Sequence, residues 1–456
     1  MKNFIRSTLF VLLLSSFPLF CEEEDESGDK VPSVAQVVKD NELIAASSNL
    51  GPSAVGFPPD VDFGPQDEDL IDPRVLRDFI ESRGLIRARK CDGCLTIAGD
   101  VRVRWLAQAE TVNGTRVRGS GSDVARNTYR SEVNLFFDYV APKSWVSTKL
   151  KWAQFDGQDG GTMTKVSVDR AFLGYDVYHN GDTDFYIEAG RSKLNSIYDS
   201  RVQFAANFDG IHIYYTTQFP EVCEFIVHGG PFLVDSFTND YAWVAELEFL
   251  GLGGTGFSAK YSYTDWLKKG STLDYGNLAN SGKTNIKNNP RYKFRVSQVL
   301  LGYQCKPSWL WCKTLNLFGA TLINHAAEPS KTSDWKKLNR AWYVGFVLGR
   351  LCKACDWSLE FNYQAVGAQA VPEFDLLGIG HGNAADTLFS DAILQDFFPA
   401  RARGFTNYRG YAVQYLFAMT ESLSLKALFQ RTVPLNKNVG GNFRFKYFEL
   451  AAIYAF

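Results

Sequence analysis

The sequence predicts an all-β chain folded as a transmembrane antiparallel β-barrel of about 16 strands, with short periplasmic turns and long outer loops. Three observations carry this. Apolar and polar residues alternate with a period of two through most of the chain beyond Leu95. Aromatic residues make up 14% of the 456 positions, rich for a soluble protein and suited to the girdles that flank a lipid-facing belt. The connections between alternating segments are short and long by turns, the rhythm of hairpins that cross a bilayer and return.

Beyond residue 20 no uninterrupted apolar run is long enough for a membrane helix, which argues against a helical membrane protein. A barrel escapes that test, because alternating lipid-facing and lumen-facing residues look only mildly apolar on average. The formal charge of −2 gives no electrostatic footprint for a nucleic-acid partner.

Residues 1–21 read as a secretory signal: Lys2 and Arg6, an apolar run from Leu9 to Leu14, and a turn-prone Ser15-Ser16-Phe17-Pro18, with cleavage near Cys21. Residues 22–90 read as a periplasmic lead-in. It opens on the acidic run Glu22-Glu23-Glu24-Asp25-Glu26, is dense in Pro, Ser, Gly and Asp, and lacks apolar periodicity. A short helix is expected near 73–83: Asp72 caps it, Pro73 fits its first turn, Val75, Leu76, Phe79 and Ile80 share a face, and Gly84 ends it. Residues 91–456 read as the barrel.

The strands follow in order. Val101, Val103, Trp105 and Ala107 share one face, and Arg102, Arg104 and Gln108 the other. Val133, Leu135, Phe137 and Tyr139 oppose Arg130, Glu132, Asn134 and Asp138; Val146, Thr148, Leu150 and Trp152 oppose Ser147, Lys149 and Lys151. Later, Tyr241, Trp243, Ala245, Leu247 and Phe249 oppose Glu246 and Glu248, while Trp357, Leu359, Phe361 and Tyr363 oppose Ser358, Glu360, Asn362 and Gln364. In the last stretch Phe448, Leu450, Ala452, Tyr454 and Phe456 form an apolar face, and a strand with that face and an uncovered edge is safe only if the sheet closes on itself. Two stretches fit less well. Lys313 to Asn324 alternates poorly, and Arg444 and Lys446 fall on the lipid-facing phase, where a rim position or a bulge would accommodate them.

Long connections are expected at 111–127, 156–165, 192–207, 267–291, 326–339 and 366–406, and short ones at 141–144, 179–184, 218–222, 252–256, 353–356 and 420–422. One strand ends in Glu188-Ala189-Gly190-Arg191, and after an irregular stretch the next opens with Asn207-Phe208-Asp209-Gly210 before Ile211, Ile213 and Tyr215 alternate. This layout resembles the third-loop region of Gram-negative outer-membrane porins, from about Leu95 to Phe456. Cysteine content and length resemble most the porins of chlamydial-type bacteria. The resemblance implies an outer-membrane location, passive diffusion of small hydrophilic solutes and ions, a homotrimer, and a third loop that folds inward to narrow the pore.

Carried onto this chain, the resemblance makes 192–207 the constriction, with Lys193, Asp199 and Arg201 in it and Glu188 and Arg191 at its edge. Strand phase turns Arg102, Arg104, Arg130, Lys149, Lys151 and Arg170 toward the lumen. An acidic loop side chain facing that basic wall would set a transverse field, and the lumen carboxylates Glu132, Asp138, Glu188, Glu246 and Glu248 offset much of its charge, so weak or mildly anionic selectivity is expected.

Cys91, Cys94, Cys223, Cys305, Cys312, Cys352 and Cys355 all fall on the periplasmic side of this topology. They are disulfide candidates within or between chains, and disulfide-linked envelope proteins are expected partners. The two Cys-x-x-Cys units lack the surroundings of a redox domain, and no metal or other cofactor is expected. Catalysis is not expected either. The five histidines, His179, His212, His228, His325 and His381, sit in no nucleophile motif, and Gly378-Ile379-Gly380-His381-Gly382 lacks the strand-to-helix context of a phosphate loop and reads as loop flexibility. The alternative reading is an envelope-structural or adhesin barrel, cross-linked through its cysteines, with 366–406 as its binding surface.

Overall fold

The computed structural model describes residues 86–90 and 93–456, apart from the connecting segments 117–126, 157–164, 236–239, 268–293, 309–312, 330–334, 380–405 and 438–441 and positions 113, 328, 373 and 374. The expected signal sequence, the expected helix near 73–83, Cys91, Cys312 and His381 lie outside the described residues.

A short strand β1 (Ile86–Lys90) leads into β2 (Gly93–Val112), which carries a two-residue return strand β3 (Thr115–Arg116). Then come β4 (Asn127–Ala141), β5 (Ser144–Asp156), β6 (Lys165–His179) and β7 (Thr183–Lys193), a single helical turn α1 (Leu194–Ile197), and β8 (Asn207–Phe219), β9 (Cys223–Asp235), β10 (Asp240–Leu252) and β11 (Phe257–Leu267). The remaining strands are β12 (Phe294–Cys305), β13 (Leu315–Asn324), β14 (Arg340–Gly349), β15 (Trp357–Val366), β16 (Tyr408–Ala418), β17 (Leu423–Pro434) and β18 (Phe443–Ala455). All pairings are antiparallel between sequence neighbours, and β18 pairs with β2 from Phe443↔Val112 to Ala455↔Asp100. Setting aside β1 and β3, the 18-stranded sheet is a closed barrel of sixteen strands, as the alternation predicts.

Closure leaves two faces. On the outside stand Val101, Val103, Tyr129, Val166, Leu173, Tyr175, Ile211, Trp243, Leu301, Leu450 and Tyr454, all exposed. An apolar exterior of that extent belongs in lipid, where a closed barrel satisfies every ladder hydrogen bond. Arg444 and Lys446 do point outward, opposite Thr111 and Ala109 near the long-loop end of β2, and the β18 registers run without a shift. They are therefore rim residues, and no bulge is involved. β13, poorly patterned in the sequence, pairs in continuous register with both neighbours.

Two features differ from expectation. Residues 86–90, read as lead-in, pair with β2 as a fifth-wheel strand, Ile86↔Ile97 to Lys90↔Gly93, just below the point where β18 ends. The inner face is also less polar than strict alternation suggests. Val296, Leu300, Leu322, Leu428, Phe445 and Tyr447 face inward and form one buried cluster with Leu194, Tyr198, Val202 and Phe204, so the core of this molecule sits inside the barrel. Those inward apolar residues seat a polypeptide segment, a role that strand periodicity does not encode.

Candidate functional site

The segment joining β7 to β8 turns into the barrel. Leu194 donates to the Ala206 carbonyl (3.0 Å) and Tyr198 to the Leu194 carbonyl (2.8 Å), which closes the segment on itself. Phe204 takes a left-handed φ of 83°, a strained conformation for a bulky residue, and is held there by complete burial. The wall grips it at several strands. On β12, Gln298 accepts from the Ser200 hydroxyl at 2.7 Å and donates to the Asp199 carbonyl at 2.8 Å. On β15, Gln364 donates to the Arg201 carbonyl at 2.8 Å, and Glu360 pairs with Arg201 at 3.2 Å. On β11, Lys260 pairs with Asp199 at 3.4 Å.

The first residues after β15 also turn inward and meet this segment. Leu377 donates to the Val202 carbonyl (2.8 Å) and Ala205 to the Asp375 carbonyl (3.1 Å), while the Asp375 side chain accepts from the Ala206 N–H (3.2 Å). Burial pushes the Asp375 carboxyl up to about 8, against the Ala206 and Phe204 N–H groups that pull it down. Gly378 is not merely a flexible position: a Cβ there would lie 1.7 Å from the Tyr408 hydroxyl, which donates to Gln364 at 2.5 Å. Only glycine admits that approach.

Away from these contacts, β2, β4, β5 and β6 present an ionic wall. Arg102 pairs with Asp100 at 2.6 Å, Arg104 with Glu132 at 2.8 Å, Lys151 with Glu132 at 3.3 Å, Lys149 with Asp169 at 3.4 Å and Arg170 with Asp138 at 3.8 Å. Arg130 lies among them on β4, 9% exposed. All six basic residues face inward, as their strand phase predicts. They alternate with carboxylates one register step away, because adjacent inward positions on neighbouring strands lie within reach of a long side chain.

A second polar array crosses β7 to β11. Glu188 accepts from the Trp145 indole N–H at 3.0 Å and faces His212 Nδ1 at 3.4 Å. His212 Nε2 lies 3.1 Å from His228 Nδ1, and His228 Nε2 lies 3.3 Å from Glu246 and 2.9 Å from Glu248. Lys260 holds the other Glu248 oxygen at 2.9 Å. The rings of Tyr198 and His228 stack, centroids 4.9 Å apart, so the inward segment lies over this array. Strand phase turned Glu188, Glu246 and Glu248 inward, but no short motif joined the two histidines to them.

Two expectations about the constriction need correction. Arg191 does not line the lumen. It shares the outward phase of Ile187 and Ala189 and makes a two-pronged pair with Asp209 at 2.7 and 3.0 Å, which neutralises both groups on the outer face. Asp199 is engaged by Lys260 of β11, outside the basic wall of β2 to β6 against which an acidic loop side chain was expected. Lys193 is buried at the root of the segment.

The described cysteines all lie at the short-turn end of the barrel. Cys94 opens β2, Cys223 opens β9 after the turn from β8, Cys305 closes β12, and Cys352 and Cys355 lie in the turn between β14 and β15. Cys94, Cys223 and Cys305 are free thiols, whereas Cys355 is disulfide-bonded.

No protein-family model and no curated protein matches the chain. Among solved structures it is similar to OprB of Pseudomonas putida in its high-pH structure, with 11% identity over 80% of this chain and 94% of that one and a TM-score of 0.49. It is similar to the outer-membrane channel DcaP of Acinetobacter baumannii, with 11% identity over 81% and 99% of the two chains and a TM-score of 0.44. A mutant of the Rh. blastica porin gives 10% identity over 79% and 100%, with a TM-score of 0.40.

Proposed function

We propose that the chain is an outer-membrane channel of porin type, in which small hydrophilic solutes and ions diffuse passively along the ionic wall of β2, β4, β5 and β6 and past the inward segment 194–206. The observation that carries this reading is the wall itself. Ten ionisable side chains, six basic and four acidic (Asp100, Glu132, Asp138 and Asp169), face the inside of a closed barrel whose outside is apolar. A barrel that served only as a scaffold would have no use for so many inward charges, and sixteen strands give a width that leaves an aqueous path. The wall's surplus of two positive charges, offset by the inward carboxylates Glu188, Glu246 and Glu248 of the second array, supports weak or mildly anionic selectivity. On this reading residues 1–21 are an export signal, the short-turn end with its cysteines faces the periplasm, the homotrimer follows the resemblance of the sequence to porins, and the disulfide-linked envelope partners follow from the cysteines in an oxidising compartment.

Reconstitution of the folded chain tests it. Planar bilayers in a salt gradient should show stepwise conductance with a reversal potential of weakly anionic sign, and liposomes should swell in small sugars faster than in large ones. Intact insertion without conductance or swelling would overturn the channel, and a strongly cationic reversal potential would overturn the selectivity alone.

A further inference from the structure

We propose that His228, Glu246 and Glu248 bind one divalent transition-metal cation on the inner wall of the barrel. Glu246 stands directly opposite His228 in the β9–β10 register and Glu248 two residues on, so one strand and its neighbour aim all three side chains to one spot. Each offers one ligand atom, and the three atoms lie within 4.8 Å of one another. His228 Nε2 is 3.3 Å from a Glu246 oxygen and 2.9 Å from a Glu248 oxygen. Ligands bound to a common ion at about 2.0–2.1 Å are separated by about 2.9–3.4 Å at ordinary coordination angles.

A second observation is independent of those spacings. Glu246 is fully buried, and among the described residues its carboxylate makes no well-formed hydrogen bond beyond the 3.3 Å approach of His228 Nε2 to one oxygen. Buried carboxylates are costly unless paired or metal-bound. Its basic neighbour Lys260 is engaged with the far oxygen of Glu248 and with Asp199. A cation at His228 Nε2 would answer the charge of Glu246 directly.

The surrounding hydrogen bonds also suit a metal. With a lone pair on His228 Nε2, the proton sits on Nδ1 and is donated to His212 Nε2 at 3.1 Å; His212 then carries its own proton on Nδ1, which faces Glu188 at 3.4 Å. Such a carboxylate-backed chain fixes the tautomer and orientation of a ligating imidazole. One imidazole and two carboxylates fit Zn²⁺, Mn²⁺ or Fe²⁺ better than Cu⁺ or Ca²⁺. Tyr198, stacked on His228, makes the inward segment the cover of the site.

The test uses the full folded chain with its thiols blocked by N-ethylmaleimide, since free cysteines also bind zinc, and titrates it with Zn²⁺ alone by calorimetry. One saturable site per chain is expected. His228→Gln and Glu246→Gln should each weaken it by more than about tenfold, the lower bound for removing even an outer-shell partner, and His325→Gln should leave it unchanged. The absence of stoichiometric binding, or binding indifferent to both variants, would overturn the proposal. If either variant fails to fold, X-ray absorption at the zinc edge of the loaded natural chain decides: a shell of one imidazole and oxygen ligands supports the site, and a shell containing sulfur or lacking imidazole overturns it.

Discussion

Phe456 and Gly99 exchange backbone hydrogen bonds in both directions at 2.9 Å, and the Phe456 ring covers the place where a side chain on Gly99 would stand. A Cβ on Gly99 would lie 2.6 Å from the ring edge and 2.8 Å from the Asn134 carbonyl oxygen. An aromatic ring laid over a neighbouring glycine pins strand register at the seam that closes the barrel.

Gly99→Val should therefore destabilise the barrel by about 1–3 kcal/mol, the usual cost of overpacking. Heat-dependent electrophoretic mobility reads this as a lower melting temperature. In a Phe456→Ala background the effect should shrink without vanishing, because the Asn134 carbonyl remains.

Asp375 makes the contact between the two inward segments depend on pH. Its carboxyl, raised to about 8 when docked, lies near 3.8 when released, so the docked form holds a proton that the released form gives up. Docking is then fully stabilised below the released value and weakens as pH rises through about 8. Amides of residues 202–206, corrected for intrinsic exchange, should lose protection from pH 6 to pH 9. Asp375→Asn should flatten that dependence.

Arg201 and Glu360 hold the inward segment to β15. Arg201→Gln removes one partner of a pair whose acid is 3% exposed and weakens the hold of β15 on the segment. The segment should exchange faster and unitary conductance should rise. Adding Glu360→Gln should restore part of the loss, which distinguishes a stranded charge from a general loosening.

On the ionic wall Lys149 pairs with Asp169 and faces the Phe136 ring. Lys149→Glu removes the two-charge surplus of the wall, and the reversal potential should move toward cations, with a larger shift at low salt than at high salt. An unchanged reversal potential would place the path of the ions elsewhere in the barrel.

The strands and their phase were legible because period two is local: Glu360 and Asn362 alternate with Leu359 and Phe361 whatever the rest of the chain does. The inward turn of 194–206 entered only through the resemblance of Gly190-Arg191 and Asp209-Gly210 to a known layout, and even then Arg191 was placed on the wrong face, though Ile187 and Ala189 already shared its phase. The histidine array was not legible. His212, His228, Glu246 and Glu248 belong to three strands and form no short motif, and the one available signal was that Ile211 and Ile213 on the lipid side leave His212 pointing in. An inward apolar pair such as Phe445 and Tyr447 carries a related ambiguity, since an inner face that seats another segment reads like an outer face that seats lipid.

The segment within the barrel is fastened at both roots, to the last residue of β7 and the first of β8, which are hydrogen-bonded neighbours. A piece of chain moored in that way cannot be ejected like a cork. If the barrel is the channel proposed above, traffic through it is set by how far the moored piece leans from one bank, a throttle with graded settings in place of a door.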